Sequence, residues 1–265
     1  MLKGVYTAKK KNGTEYFRSN ITYKGKHISL GSFDTELEAY EAYLEGGDLI
    51  TRSNIDIETA FRACKRLSFE KIVVLLNYRD NKLYIGNPIY LRKNYFSYYL
   101  SKNEELKFDI DDLFYYSSHK ILRRQNHLYV NDYGMQYRIL ERYGIHAHSV
   151  PNRDYKFANG DVTDYRYSNI LLLNPYHGVT TIQDDIHTKY ICKIHINGYY
   201  KIGTFSNETD AAIAYNKAVD FALKHGIEKN FPVNFIEHLT PKEYAERYAC
   251  VKLSKSYLRF LNDLS

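Results

Sequence analysis

Two separate stretches of the chain share one pattern of apolar and polar positions. Each begins with Gly-Val, at Gly4 and at Gly178, continues with strand-like alternating residues, and turns at Leu/Ile-Gly-Ser/Thr-Phe. An Ala- and Tyr-rich segment follows in both, and from Gly31 and Gly203 onward the copies align without a gap. Side chains alternate between the faces of a strand, whereas a helix repeats its faces every ~3.6 residues. The pattern therefore predicts two antiparallel sheets of three strands, each followed by one helix.

The first copy predicts strands at about 4–10, 15–23 and 26–32. Asp34 or Thr35 is expected to cap a helix that runs to about Glu45, where Gly46-Gly47 would end it. Alternation in the second strand directs one set of side chains toward the helix and the other set outward. The inward set is Phe17, Ser19 and Ile21.

The second copy predicts strands at about 178–183, 189–196 and 199–204, and a helix from Asn207 to about Leu223. Its inward set is Tyr190, Cys192, Ile194 and Ile196. Other segments predict a helix within 56–66, a hairpin of Ile72–Leu76 and Tyr78–Ile85, a strand at His127–Val130, a helix at Met135–Tyr143, and a helical tail over Pro241–Leu264 capped by Thr240. The predicted fold class is α+β.

Charge is distributed unevenly along a chain whose formal net charge is +6. Residues 1–33 carry seven basic side chains against Glu15 alone, whereas residues 34–60 carry Arg52 against eight acidic ones. The first copy is therefore expected to have a basic sheet and an acidic helix. A sheet that faces DNA, with its helix turned toward water, has this distribution.

Each copy resembles the AP2 DNA-binding domain, a three-stranded antiparallel sheet packed on one helix. The resemblance rests on the Gly-Val opening, the alternating second strand, the Leu/Ile-Gly-Ser/Thr-Phe corner and the Ala/Tyr-rich helix. The second copy opens Tyr176-His177-Gly178-Val179, close to the YRGV opening of that family. The resemblance covers roughly the first 50 residues and residues 176 to about 224. It implies that the outward face of each sheet contacts duplex DNA.

Outward strand positions and the neighbouring turns supply the candidate DNA contacts. Basic, amide, hydroxyl and imidazole side chains suit phosphates and base edges in a major groove, which is wide enough for a sheet. Lys193 and His195 stand in the second copy in place of Arg18 and Asn20, so the two sheets would read different sequences. The candidates are Lys9, Lys10, Lys11, Arg18, Asn20, Thr22, Lys24, Lys26 and His27 in the first copy, Lys193, His195 and Lys201 in the second, and Arg123, Arg124 and Arg153 between them.

The region from about Ile121 to Asn174 resembles an HNH endonuclease domain, a kind often fused to AP2 domains in mobile elements. In that family a His precedes a Gly-Asp pair and acts as the general base beside a metal ion. Asn159-Gly160-Asp161 fixes the alignment, and the position of the base is Phe157, which can neither accept a proton nor bind metal. Asn169 is expected to be structural. The resemblance therefore implies a degenerate domain without catalytic residues, unless His146 and His148 rebuild a site.

The predicted domains are 1–55, 56–174, 175–235 and a helical tail at 236–265. No apolar run reaches the ~18 residues of a membrane span, and the N-terminus lacks the apolar centre of a signal peptide. Three widely spaced cysteines favour a reducing compartment and have no metal-ligand spacing. We therefore expect a cytoplasmic, nucleoid-associated protein of a bacterium or phage, with no cofactor, no metal and no membrane partner. The tail could pack on the core or form a homodimer.

The leading hypothesis is a non-enzymatic, sequence-specific protein that binds double-stranded DNA, as a transcription regulator or a factor of a phage or mobile element. One alternative is an active HNH homing-type endonuclease or nickase, against which Phe157 argues. Another is a protein-binding inhibitor of a nucleic-acid-handling complex, in which the sheets would hold protein.

Overall fold

A computed structural model describes residues 2–147, 149–183 and 187–263 and shows an α+β fold. The chain divides into two compact units. One comprises Met1–Ile139 with Asp161–Asn169, and the other comprises Leu140–Gly160 with Ile170–Ser265. The chain therefore passes between the units more than once.

The first unit begins with the predicted sheet and helix. Strands β1 (Val5–Lys9), β2 (Glu15–Tyr23) and β3 (Lys26–Phe33) are antiparallel neighbours, and α1 (Glu36–Thr51) packs on them. Thr35 is the cap, because its side chain accepts the Glu38 N–H at 3.2 Å. The predicted end at Gly46-Gly47 is wrong. Gly46 is buried against the Leu30 side chain, so it allows α1 to approach the sheet closely while the helix continues.

The Leu-Gly-Ser-Phe corner is a β-bulge in β3. Ser19 pairs with Gly31 whereas Asn20 pairs with Ser29, which leaves Leu30 as an extra residue without a cross-strand partner. Leu30 is buried in the core, with 3% of its surface exposed. An inserted residue in one strand bends it and increases its twist. The repeated corner therefore has a structural cause, because it curves the sheet over the helix.

Two helices follow, α2 (Ile57–Ala63) and α3 (Phe69–Asn81), and they share one apolar core with the sheet and α1. The predicted helix within 56–66 is confirmed. The predicted hairpin over Ile72–Leu76 and Tyr78–Ile85 is wrong, because most of this segment lies in α3. Every residue from Ile72 to Arg79 is buried, so no exposed polar face marks the helical period.

The rest of the first unit contains two more small sheets. Strands β4 (Ile89–Leu91), β5 (Tyr95–Ser101) and β6 (Glu104–Asp109) form one, and α4 (Leu113–Ser118) follows. Strands β7 (Ile121–Arg124), β8 (His127–Asp132) and β9 (Met135–Arg138) form the other. The strand predicted at His127–Val130 is confirmed. The helix predicted at Met135–Tyr143 is wrong over its first half, where β9 pairs with β8, and only Ile139–Tyr143 forms a short 3-10 turn.

The second unit contains the second predicted sheet. A short hairpin of β10 (Tyr155–Phe157) and β11 (Ile170–Leu172) precedes β12 (Val179–Gln183), β13 (Thr188–His195), β14 (Tyr199–Phe205) and α5 (Glu208–Lys224). These strands and this helix match their predicted positions. Cys192 and Ile194 are fully buried, as their inward assignment requires. A bulge recurs at the corner, because Cys192 pairs with Gly203 and Lys193 with Lys201, which leaves Ile202 between them.

The tail forms two helices, α6 (Pro241–Cys250) and α7 (Lys255–Asn262). Thr240 caps α6 in a capping box with Glu243, and Pro241 occupies the first turn, as predicted. The predicted end at Leu264 lies outside the described residues. Tyr257 and Leu261 of α7 are fully buried in the core of the second unit. The tail therefore packs on its own core.

Candidate nucleic-acid interface

The outward face of the β1–β2–β3 sheet brings together polar and aromatic side chains and, among the residues that the structure describes, no acidic one. Arg18 lies opposite Tyr6 and Ser32, Asn20 opposite Ser29, and Thr22 opposite His27. The Thr22 hydroxyl is 3.2 Å from Nδ1 of His27. Most of these side chains are exposed. The predicted outward residues Arg18, Asn20, Thr22 and His27 therefore lie together on one surface. The same surface also carries Tyr6, Tyr16, Ser29 and Ser32.

Arg18 occupies the middle of this face. Its guanidinium carbon lies 5.9 Å from the centre of the Tyr16 ring, a distance at which the ring attracts the cation. The side chain is exposed and has no carboxylate partner among the residues that the structure describes. Its hydrogen-bond donors thus remain available to a ligand.

Lysines flank the face at both ends of β2. Lys10 and Lys11 are exposed in the β1–β2 turn, whereas Lys9 is paired with Glu15 at 3.2 Å. At the other end, Lys24 and Lys26 are exposed around the β2–β3 turn. The ammonium of Lys26 lies 4.9 Å from the centre of the Tyr84 ring.

One cation beside this end was missed from the sequence. Lys82 follows α3, and its side chain contacts Lys24, whose ammonium lowers the pKa of Lys82. Two like charges in contact are unfavourable unless an anion joins them. Recognising Lys82 would have required α3 itself, because the contact depends on the helix ending next to the β2–β3 turn.

The acidic residues of α1 face away from this surface and have structural partners. Arg66 donates to Glu41 at 2.7 Å and to Glu38 at 2.9 Å, and the hydrogen bond from Arg66 to Glu41 raises the pKa of Arg66. The Glu45 carboxylate accepts the backbone N–H groups of Lys65, Arg66 and Leu67. These carboxylates are thus not simply solvated, since they hold the loop between α2 and α3.

The second sheet differs more from the first than the sequence comparison suggested. Lys193 donates its backbone N–H to the Gly178 carbonyl at 2.8 Å, as Asn20 does to Gly4 at 2.9 Å. Lys193 therefore corresponds to Asn20. The pairing of Lys193 and His195 with Arg18 and Asn20 was wrong by two residues, and the counterpart of Arg18 is Ile191, which cannot donate to a base or phosphate.

The predicted residues of the second unit fall in two places. Lys193, His195 and Arg153 line one cavity of about 410 Å³. Lys201, the cross-strand partner of Lys193, is exposed and does not line it. The sequence did not indicate this grouping, because the loop that contains Arg153 precedes the second copy.

The three middle arginines differ in their surroundings. Arg123 forms an ion pair with Glu104, and Arg153 forms one with Asp154 at 2.6 Å. Arg124 is exposed and has no carboxylate partner among the described residues. An existing ion pair weakens attraction to phosphate, so Arg124 is the strongest phosphate candidate of the three.

The HNH-like segment provides carboxylates with structural partners. Asp161 accepts Lys107 Nζ at 2.9 Å and the Thr163 hydroxyl at 2.6 Å. The bond from Thr163, followed by that from Lys107, lowers the pKa of Asp161 to about 2. The Asn169 side chain donates to the carbonyls of Asp161 and Asp164 at 3.3 and 2.8 Å, a structural role. Between β11 and β12, residues 173–178 form no helix.

Metal-binding groups were sought among residues 2–147, 149–183 and 187–263. Within these ranges, no group of three or more His, Cys, Asp or Glu side chains could hold a metal ion. His148, half of the alternative pair with His146, lies outside the described residues.

Comparisons with protein-family models, with curated proteins and with solved structures find no match for the chain. The AP2-like and HNH-like resemblances therefore rest on the motifs alone. Among the described helices, none is both long enough and apolar enough to cross a membrane.

Proposed function

We propose that the chain is a non-enzymatic, sequence-specific DNA-binding protein and that the outward face of the β1–β2–β3 sheet contacts the duplex. The observation that carries the proposal is the composition of that face. Arg18, Asn20, Thr22 and His27 lie together on a face that carries no acidic side chain within the described part of the chain, and lysines lie at both ends. Regulation of transcription, or service to a phage or mobile element, would be the cellular role.

The dimensions of the face support base contacts by the strand residues and phosphate contacts by the turns. Strand β2 has nine residues, so it spans roughly 26 Å. The major groove is only about 12 Å wide. A sheet in the groove would present Arg18 and Asn20 to base edges, while the lysine-bearing turns would lie near the phosphates on either side. Base contacts specify sequence, and phosphate contacts supply affinity that depends on salt.

The absence of catalysis is supported by Phe157 and Asp161. A phenylalanine cannot activate water, and the Asp161 carboxylate is already engaged by Lys107 and Thr163. Nicking of supercoiled plasmid with Mg²⁺ or Mn²⁺ that stops on His146→Ala would contradict this part of the proposal.

The decisive experiment is selection from random duplexes at about 100 mM salt, where phosphate contacts alone bind weakly. The wild-type chain should enrich one sequence, and Arg18→Ala should weaken binding to it by roughly 5- to 150-fold, or about 1–3 kcal/mol. Arg62→Ala is the matched control, because Arg62 is an exposed arginine of α2 that pairs with Glu58. Failure of any duplex to be enriched would sink the proposal and favour a protein partner.

A second comparison separates phosphate contacts from base contacts. Replacing Lys10 and Lys11 together by Ala should weaken binding to all duplexes alike and reduce the salt slope by about 2. Arg18→Ala should instead flatten the sequence preference. The same response to both changes would mean that the face does not read bases.

A further inference from the structure

The cavity of the second unit has a volume of about 410 Å³ and is lined by several separate segments. Val150 and Arg153 lie on one side, the β12–β14 sheet and the two residues before it on another, and residues 229–232 after α5 on a third, while Tyr215 of α5 also lines it. Arg153, Lys193 and Lys229 supply cationic groups, and none of the described lining residues is acidic. Small-molecule sites are commonly ~300–1,000 Å³ in size. The cavity therefore suits a small anionic ligand.

Arg153 is held in position by a carboxylate behind it. Its Nε and Nη2 donate to Asp154 at 2.9 and 2.6 Å, and Asp154 also accepts the Val150 N–H at 2.8 Å. Burial opposes ionisation of Asp154, but the bonds from Arg153 and Val150 outweigh it and lower the pKa of this carboxyl. Two of the five guanidinium N–H groups are thus used to fix the side chain, and those on Nη1 remain for a ligand.

Lys229 sets the proton position on His195. Its ammonium donates to the carbonyl oxygens of His195 and Ile196 at 2.8 and 3.2 Å, and it lies 3.1 Å from Nδ1 of His195. An ammonium has no acceptor, so Nδ1 must accept, and the neutral imidazole then carries its hydrogen on Nε2. His195 therefore offers an N–H donor beside a fixed positive charge.

Lys193 and Tyr199 complete the lining with groups that have few internal contacts. Lys193 is exposed and has no ion-pair partner among the described residues. Tyr199 is 74% exposed, and its ring centre lies 4.8 Å from that of His195, with the two rings tilted against each other. An exposed tyrosine ring beside cations can stack on a nucleobase, and bases bind such rings whatever their identity.

We propose that this cavity binds a nucleotide through its phosphate ester, with the base stacked on Tyr199. Arg153, Lys193 and His195 would hold the phosphate oxygens, and charge-assisted hydrogen bonds of this kind are the strong ones. A free mononucleotide and the terminal nucleotide of a strand share this chemistry. The site lies in the second unit and does not depend on duplex binding by the first sheet.

The test is titration of the full chain with deoxyadenosine 5′-monophosphate, deoxyadenosine and inorganic phosphate, followed by NMR chemical shifts. The monophosphate should bind at least about tenfold more tightly than the nucleoside, because only it can use the charged groups. Lys193→Ala should weaken monophosphate binding by about tenfold. Tyr199→Ala should weaken it too, yet leave inorganic phosphate unaffected.

Lys201→Ala is the matched control, since Lys201 faces Lys193 across the strands but lies outside the cavity. Equal losses in the Lys193 and Lys201 variants, or equal binding of nucleoside and monophosphate, would overturn the proposal. A 5′-phosphorylated single strand that binds more tightly than the monophosphate identifies a strand end as the ligand, and equal affinities identify the free nucleotide. Monophosphate binding by a chain that enriches no duplex would contradict the proposed function and uphold the cavity.

Discussion

The Gly-Val opening of each copy allows a prediction whose magnitude depends on what surrounds the glycine. Gly4 and Gly178 have φ of +76° and +74°, in the left-handed region that other residues rarely adopt. A Cβ at Gly178 would lie 2.5 Å from the Lys193 carbonyl oxygen and closer still to the Tyr215 ring. At Gly4 the three atoms nearest to an added Cβ all belong to the Tyr43 ring, which is partly exposed and can turn aside.

Alanine scanning separates the backbone strain from the collision. Gly226 and Gly13 have φ of +79° and +85°, and a methyl group added at either would have nothing within 4 Å, so they report backbone strain alone. We expect about 1 kcal/mol of destabilisation for Gly226→Ala, because left-handed strain is partly offset by a less flexible unfolded chain. Gly178→Ala should cost about 2–4 kcal/mol, since overpacking adds ~1–3 kcal/mol. Gly4→Ala should destabilise the first unit more than Gly13→Ala does, but by a smaller margin than separates Gly178→Ala from Gly226→Ala in the second unit.

Urea unfolding followed by far-ultraviolet circular dichroism measures these differences, with tyrosine fluorescence as a second probe because the chain has no Trp. Each variant is compared with the control in its own unit, so the comparison of stabilities remains valid even where the two units unfold in separate transitions. The reasoning is refuted if Gly178→Ala is no less stable than Gly226→Ala.

Asp161→Asn should remove a pH dependence of stability, because the folded pKa of about 2 lies below the ordinary 3.8. The carboxylate stabilises the fold above about pH 4, and this stabilisation is lost as the pH falls toward 2. Allowing for solvent screening, we expect it to contribute about 1 kcal/mol to the free energy of unfolding. An equal difference in stability between wild type and variant at about pH 2 and at about pH 4 would contradict this prediction. Tyr257→Phe removes a hydroxyl that donates to a buried α5 carbonyl at 2.8 Å and should cost about 1–3 kcal/mol in urea unfolding; an unchanged midpoint would refute the bond's importance. A thiol reagent should label exposed Cys250 in the native chain, and buried Cys64 and Cys192, whose burial raises the pKa of each thiol, only in urea; rapid native labelling of either would contradict their burial.

The two sheets and their helices could be predicted because each has one buried face and one solvent-exposed face. In β13, Cys192 and Ile194 are buried while Lys193 and His195 are exposed, so the period of two is visible. Capping residues in the sequence also located where helices begin, as Thr240 does for α6. The same alternation located the candidate DNA contacts on the outward face, because successive side chains of a strand lie on opposite faces of the sheet.

Helix α3 could not be predicted in this way, because burial on all sides removes the polar face that reveals a helical period. Gly46 was misleading for a related reason. A glycine after a helical run usually marks its end, but here the lack of a side chain makes room for Leu30 of the sheet. Only tertiary packing decides between these roles.

The cavity of the second unit could not be predicted from the sequence. Arg153, Lys193 and Lys229 are far apart in the chain and meet only when three segments fold together. Residue types suggested cations for two of them, but neither spacing nor alternation indicated a common pocket.

The extra residue at the Leu30 bulge reverses the faces on which the preceding side chains of β3 lie. Counting back from inward-packing Phe33 by strict alternation would turn Ser29 and His27 toward the core and Ile28 toward solvent. The inserted residue shifts the count by one, so Ile28 is buried and His27 joins Thr22 outside. Deleting Leu30 would therefore do more than lose one core side chain, since it would exchange the inner and outer residues of half a strand. The identical insertion at Ile202 exposes Tyr199 and Lys201, which means that both copies owe their present outer surfaces to a single extra residue.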